Sequence, residues 1–171
     1  VTDSFKRLSL LIMYNQSMSK LLPMTQTEYV AFLKRVVPEY AEDKVRAGLW
    51  TESEALEKSR KEYEEQLPQG LQSKNHFFYT LYDGDQPVGM IWVDADLNHP
   101  SKKGFIYELY VDEKQRGKGY GKQTMLLFEE KARELGLKTL GLHVFGVNRV
   151  ARNLYESLGY ETVSLKMNKA L

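Results

Sequence analysis

The sequence predicts a single domain of the mixed α/β class, in which helices pack on a mixed sheet. The chain has 171 residues, which is the size of one domain and enough to bury a real core. Up to Asn75 the apolar residues mainly follow helical spacing. From Phe77 onward, short apolar runs bounded by turn residues alternate with helical patterns. That order of elements indicates a sheet covered by helices.

Residues 1–17 read as an extension that precedes the domain. A short apolar run, Leu8–Tyr14, follows two basic residues and resembles the beginning of a signal peptide. The run is interrupted by Ser9, and no small-residue cleavage site follows it. We therefore expect the domain to span residues 18–171 and the extension to lie outside its core.

The chain up to Asn75 predicts one edge strand followed by helices. The predicted elements are an edge strand at Leu21–Leu22, a helix from Thr25 that Pro38 ends or bends, a further helical segment to about Gly48, and a helix from Thr51 to Leu67. Each long helix begins with a capping box, in which a threonine and a glutamate three residues later satisfy backbone N–H groups. Glu28 and Glu54 are those glutamates.

From Phe77 the sequence predicts strands that alternate with helices. The predicted elements are strands at Phe77–Tyr82, Val88–Val93, Phe105–Val111 and Thr139–Phe145, helices from the turn at 115–122 to Leu135 and from Asn148 to Leu158, and a last strand at Tyr160–Met167. The turn Asp83–Asp85 contains glycine and predicts a hairpin. The strand Phe105–Val111 is apolar on both faces except for Glu108, which predicts a central position in the sheet.

Composition excludes several classes of function. The chain has no cysteine, so disulfides, a thiolate nucleophile and cysteine zinc sites are excluded, and three scattered histidines do not favour a metal site. The net charge of +1 argues against nucleic acid as a partner. No apolar run approaches the roughly 18 residues that cross a bilayer. We expect a soluble cytoplasmic domain that binds no metal, nucleic acid or membrane. The sequence leaves open whether the protein forms a homodimer.

The most informative segment is the glycine-rich turn at 115–122, between a central strand and a helix. Glycines at alternate positions let backbone N–H groups turn inward, and the helix N-terminus adds further donors and a partial positive charge. The turn contains Arg116, Gly117, Lys118, Gly119, Tyr120, Gly121 and Lys122. We predict a phosphate site here; the alternative is a tight turn with solvated basic residues. The spacing fits neither a Walker A loop nor a dinucleotide-binding loop.

Two segments resemble the GNAT family of N-acetyltransferases. Arg116–Gly121 has the R-x-x-G-x-G pattern of that family's acyl-CoA loop. Asn148–Tyr160 is similar to its N-x-x-A-x-x-L-Y-x-x-x-G-[FY] segment. The order of predicted elements matches as well, from about Met18 to the C-terminus. The resemblance implies the GNAT fold, a mixed and mostly antiparallel sheet flanked by about four helices.

The resemblance also implies a set of residues that bind acetyl-CoA. The family's pantetheine lies along the central strand beside a backbone bulge, and its pyrophosphate lies in the glycine loop. Carried over, pantetheine would contact the backbone of Leu109, Tyr110 and Val111, and the turn from Arg116 to Lys122 would hold the pyrophosphate. The family's asparagine corresponds to Asn148, which also reads as the N-cap of its helix.

Three residues are candidates for proton transfer. Tyr155 matches the family's tyrosine that protonates the leaving thiolate; the alternative is a core aromatic on the stripe of its helix. Glu108 is a candidate base, because a carboxylate in an apolar strand is costly unless it is paired or functional. His143 aligns where the family often has its glutamate base, and a hydrogen-bonded structural histidine is the alternative. We favour Glu108 over His143, because an unpaired carboxylate in that strand needs more explanation than a histidine on a mixed face of its strand.

The resemblance implies an N-acetyltransferase that moves an acetyl group from acetyl-CoA to a primary amine, directly in a ternary complex. A non-catalytic sensor of acyl-CoA with the same fold is the first alternative. A nucleic-acid or nucleotide-phosphate binder that uses the basic loop is the second. The acceptor is a small molecule or a peptide, and the sequence does not choose between a polyamine, an amino acid, an antibiotic and a peptide N-terminus.

Overall fold

A computed structural model describes residues 19–167 and residue 169. The extension predicted at residues 1–17 lies outside the described residues. The helices are α1 (Gln26–Arg46), α2 (Glu52–Gln66), α3 (Tyr120–Glu134) and α4 (Arg149–Ser157), with 3₁₀ turns at Gly70–Gln72 and Glu113–Gln115. The strands are β1 (Ser19–Pro23), β2 (His76–Asp83), β3 (Gln86–Ala95), β4 (Lys103–Val111) and β5 (Thr139–Leu142).

The five strands form one mixed sheet in the order β1-β2-β3-β4-β5. All neighbouring strands are antiparallel except β4 and β5, which are parallel. The two-residue turn between Asp83 and Gln86 closes the predicted hairpin, and Gly84 has a φ of 59° there. The predicted fold class, a mostly antiparallel sheet with four helices, is confirmed.

Two local features disturb the regular pairing of β4. Trp92 of β3 pairs with Glu108 but Val93 pairs with Ile106, so Tyr107 is the extra residue of a β-bulge. On its other side, β4 pairs with β5 only from Lys103 to Ile106. Beyond that point β4 continues to Val111 with no strand on this edge among the described residues.

A hydrophobic cluster lies on each face of the sheet. One cluster packs α1 against the sheet through Tyr29, Phe32, Phe78, Met90 and Trp92, together with neighbouring residues of both layers. The opposite cluster packs α3 against the sheet, and Met125 and Phe128 are fully buried in it. Residues that alternate along a strand enter the two clusters in turn, as the two-residue repeat of a strand requires.

Helix ends agree with the predicted signals. The N–H groups of Thr25 and Thr51 each bond the glutamate three residues later, at 2.7 and 3.1 Å. Both α3 and α4 end in a Schellman motif, in which the residue after a glycine donates its N–H five residues back. These bonds are Leu137 to Ala132 at 2.9 Å and Tyr160 to Tyr155 at 3.0 Å.

Two predictions about the elements are wrong, and of the two outcomes expected at Pro38 an end of the helix is excluded. α1 continues through Pro38, because Phe32, Val36, Val37 and Ala41 bury one continuous face of the helix on both sides of the proline. β5 ends at Leu142 instead of Phe145, where β4 no longer pairs with it. Residues 160–167 form no strand: Val163, Leu165 and Met167 have strand spacing but are at least 80% exposed.

The strand β4 is interior in the sheet, as predicted, but its face toward α1 is left partly open at Phe105 and Tyr107. Ile106 is buried, whereas Phe105 and Tyr107 are 39% and 46% exposed. The helices α1 and α2 leave this part of their face of the sheet open. Among the described residues, no helix combines the length and the apolar character that crossing a bilayer requires.

Candidate active site

The candidate site begins at the unpaired edge of β4 and continues into the glycine-rich turn. Past Ile106 the backbone of Leu109, Tyr110 and Val111 pairs with β3 on one side only. The chain then passes through the 3₁₀ turn and enters α3 at Gly119, the N-cap residue, whose φ is 86°. The chain therefore leads from an unpaired strand edge directly to a helix N-terminus.

The N-terminus of α3 presents backbone donors without a capping side chain. The first helical hydrogen bond joins the Gln123 N–H to the Gly119 carbonyl at 3.0 Å. The N–H groups of Tyr120, Gly121 and Lys122 precede it and have no partner within the helix. These N–H groups point to the position at which a helix N-terminus attracts anions.

The side chains of the turn have varied orientations. The Arg116 Nε donates to the Val111 carbonyl at 3.2 Å, and Lys118 donates to the Gln115 side chain at 2.7 Å. The Tyr120 hydroxyl donates to Asp83 at the β2–β3 hairpin. Lys122 is exposed. Tyr120 can therefore contribute to an anion site through its backbone, and the basic side chains are available at the surface.

Gly121 brings three elements together at the site. A Cβ at this position would lie 3.3 Å from a methyl group of Leu154 on α4 and 3.9 Å from one of Val111 on β4. The absence of a side chain thus lets α4 pack against the start of α3 beside the end of β4. Gly121 has a packing role here, whereas Gly117 and Gly119 have left-handed backbones with no neighbour within 4 Å of such a Cβ.

Tyr155 lies on the half-buried stripe of α4, as predicted. Its ring packs on the cluster beneath α3 and is 5.9 Å from the ring of Tyr160. Burial raises the pKa of the Tyr155 hydroxyl above its usual value, so this group stays protonated near neutral pH. The residue next to it, Leu154, contacts Gly121, so Tyr155 lies close to the glycine-rich turn.

Glu108 is paired, contrary to the expectation of an unpaired carboxylate. Its Oε1 lies 2.8 Å from Nη1 of Arg35, and its Oε2 is buried without a partner among the described residues. Burial raises the pKa of Glu108, and the Arg35 guanidinium opposes that effect. The sequence argument that favoured Glu108 on the ground of isolation is therefore wrong, although its assignment as the base stays a prediction.

His143 and Asn148 lie on the segment between β5 and α4. His143 is exposed just beyond the end of β5, with its ring edge-on to Phe145 at 5.0 Å. The Asn148 side chain accepts the Ala151 N–H at 3.1 Å, which confirms its role as N-cap. No hydrogen bond in the described part of the chain joins Glu108, His143 and Tyr155 to one another.

Sequence reasoning missed the groups that surround Glu108. Arg35 contacts Glu39 at 2.8 Å as well as Glu108, and its guanidinium lies 3.8 Å from the centre of the Tyr110 ring. The pKa of Tyr63 on α2 is raised mainly by burial and next by the negative charge of Glu108, so Tyr63 lies near that carboxylate. One signal was present: Arg35 interrupts the apolar stripe of α1 between Phe32 and Val36.

Comparisons with known proteins identify the family. The model of the acetyltransferase (GNAT) family matches residues 39–160. The chain is 40% identical over 149 residues to the uncharacterized N-acetyltransferase YdgE of Bacillus subtilis, covering 86% of this chain and 95% of that protein. It is 37% identical over 152 residues to the uncharacterized N-acetyltransferase YycN of the same species, covering 88% and 97%.

The fold is also that of a solved relative. The crystal structure of the YycN acetyltransferase from Bacillus subtilis superposes with a TM-score of 0.80 at 36% identity, covering 90% of this chain and 98% of that one. Family model, relatives and fold all identify the same kind of enzyme, an acyltransferase. The chain therefore belongs to the GNAT acetyltransferase family.

Proposed function

We propose that this protein transfers an acetyl group from acetyl-CoA to a primary amine, directly within a ternary complex. One observation carries the proposal: the unpaired edge of β4 leads straight to the unpartnered N–H groups of α3. A ligand with an amide-containing arm and a pyrophosphate matches that succession of strand edge and anion site. Acetyl-CoA has both parts and would supply the acetyl group as an activated thioester.

The backbone provides the binding groups in this proposal. Leu109 and Val111 offer backbone groups on the open side of β4, as an edge strand does for an added strand, whereas the Tyr110 carbonyl faces Gly89 of β3. The N–H groups of Tyr120, Gly121 and Lys122 meet the phosphates, and the nearby basic side chains of Arg116 and Lys118 add charge. Asn148 contributes by holding the start of α4.

Glu108 removes a proton from the acceptor ammonium. Its Oε2 is buried and has no partner among the described residues, so in this scheme it takes the proton from an acceptor, or through one water, that enters the site beside it. His143 is the second candidate for the same role, because it is exposed just beyond the end of β5. The Tyr155 hydroxyl is the proton donor for the leaving sulfur, since burial keeps it protonated.

The experiment is the release of free CoA thiol from acetyl-CoA in the presence of a panel of amines. The panel contains a polyamine, free amino acids, an aminoglycoside and short peptides, because the structure does not choose among these acceptors. We expect amine-dependent release by the wild-type protein and at least a tenfold loss of rate in Glu108→Gln, since a general base typically contributes roughly 10²–10⁴ in rate. The matched control is Glu62→Gln, a surface carboxylate of α2 bound to Tyr40.

A non-catalytic sensor of acyl-CoA is the second candidate. It would bind CoA, measured by calorimetric titration, but would release no thiol with any amine. Binding of a nucleotide or oligonucleotide that CoA does not displace would contradict both.

A further inference from the structure

The feature that acetyl transfer leaves unexplained is the half-buried guanidinium of Arg35. This side chain is 20% exposed and contacts charged or aromatic groups on three sides. Its Nη1 lies 2.8 Å from both Glu108 and Glu39, and its central carbon lies 3.8 Å from the centre of the Tyr110 ring. Such a guanidinium is fixed in position, unlike the cations of exposed ion pairs.

We infer that Arg35 is a positioning residue, whose guanidinium holds the Glu108 carboxylate ionised and oriented toward the acceptor amine beside the β4 bulge. The inference rests on the proposed function, in which Glu108 is the proton acceptor. Arg35 itself contacts no reacting atom in this scheme. It acts through Glu108.

The bulge and the ion pair together determine which oxygen can react. Glu108 directly follows Tyr107, the extra residue of the bulge, so its side chain is directed toward α1. Arg35 occupies Oε1 and leaves Oε2 buried without a partner in the described structure. The N–H bond of the acceptor ammonium breaks, its electron pair stays on nitrogen, and an O–H bond forms at Oε2, either directly or through a water that gains this proton and gives one of its own to Oε2.

Every charged or titratable group that faces Glu108 affects its protonation. Burial raises the pKa of Glu108, Arg35 on α1 lowers it, and Glu39 on α1 raises it. Tyr63 on α2 faces the same carboxylate and Tyr110 on β4 contacts Arg35; both are neutral near pH 7, because burial raises the pKa of each. Arg35 is thus the one cation that opposes protonation of Glu108 among the described groups that face it.

The test measures the titration of Glu108 directly. The side-chain carboxyl carbon of Glu108 is followed by NMR as the pH changes, and its signal is identified by its loss in Glu108→Gln. Arg35→Met keeps the length of the side chain but removes the cation. Arg35→Lys restores a cation, Glu39→Gln removes the competing carboxylate, and Arg46→Met is the control, because Arg46 pairs only with exposed Asp43 at 3.0 Å.

The expected shifts have opposite signs. In Arg35→Met the titration midpoint moves to higher pH, since the cause that lowers it is gone; in Arg35→Lys it returns toward wild type. In Glu39→Gln the midpoint moves to lower pH, since a cause that raises it is gone. Arg46→Met leaves the midpoint unchanged. If Arg35→Met does not fold, Glu39→Gln still decides, because its change lies on an exposed side chain.

The same variants are then assayed with an amine acceptor. The acidic limb of kcat/KM moves with the midpoint of the Glu108 titration. At a pH below that limb we expect kcat/KM of Arg35→Met to be at least about tenfold lower than that of the wild-type protein, since a close opposite charge lowers the pKa of a carboxyl by about one unit or more. The loss falls on kcat, and KM for the amine changes little. A midpoint unchanged in Arg35→Met, or not lowered in Glu39→Gln, overturns the inference. If the midpoints shift as expected but no variant changes the rate profile, the assignment of Glu108 as base is wrong instead.

Discussion

At the scale of single residues, Tyr155→Phe separates chemistry from packing. The ring stays in the cluster beneath α3, so we expect the free energy of unfolding to change by about 1 kcal/mol or less, the size of one hydrogen bond. The proton donor is lost, and general acid catalysis is typically worth roughly 10²–10⁴ in rate. We therefore expect kcat to fall at least tenfold, while the affinity for acetyl-CoA stays within a factor of about two.

The matched control is Tyr160→Phe, which makes the same change just past the C-terminal end of α4, in the same cluster. The two rings are 5.9 Å apart, and the Tyr160 hydroxyl has no hydrogen-bond partner in the described structure. Steady-state kinetics on both variants, beside a cofactor titration, check the prediction. An equal kcat in both would reduce Tyr155 to a core aromatic, and a loss only in cofactor affinity would make it a binding residue.

The residues of the site were predictable in part. Glu108 could be found because a single charge in an apolar strand stands out, and Tyr155 because it lies in a motif. Arg35 could not be assigned, because its partner lies on another element far away in the sequence. Only the packing of α1 across the sheet brings the two charges within 2.8 Å.

At the scale of elements, Gly119→Val tests the turn that precedes α3. Gly119 has a φ of 86°, which a β-branched residue strongly resists, so the substitution displaces the first N–H groups of the helix. We expect the dissociation constant for CoA to rise at least tenfold, a loss of about 1.4 kcal/mol in binding. Calorimetric titration with CoA is the measurement.

Gly136→Val provides a control at the other end of the same helix. Gly136 has a φ of 79° and, like Gly119, no atom within 4 Å of an added Cβ. Both substitutions therefore introduce similar backbone strain, but only one lies at the proposed phosphate site. A similar loss of CoA affinity in both variants would mean that the effect comes from destabilising α3.

Elements specified by local chemistry were predicted best. The capping boxes and the hairpin turn depend on neighbours within a few residues, and the structure confirms them. The course of α1 through Pro38 and the length of β5 depend on contacts made elsewhere. The strand expected at Tyr160–Met167 has the right alternation, but alternation alone does not provide a partner strand.

At the scale of the whole molecule, the helices differ in how firmly they are held against the sheet. α1 buries five of its residues and α3 buries four, whereas no residue of α4 is buried. The short helix that carries Tyr155 is attached mainly by half-buried side chains and by its Schellman motif. The sequence pattern predicted the apolar stripe of α4 but not its shallow burial, which depends on the area that α3 leaves uncovered.

The shallow burial of α4 affects how often this helix opens. Helical segments with little buried surface open locally long before the molecule unfolds, so their amide hydrogens exchange with solvent at lower free-energy cost. We expect the amides of α4 to exchange deuterium faster than those of α3 in hydrogen-exchange mass spectrometry, and to slow when CoA is bound. In such a molecule Tyr155 would be in position to donate its proton for only part of the time before the cofactor binds, and each turnover would begin with the re-formation of α4.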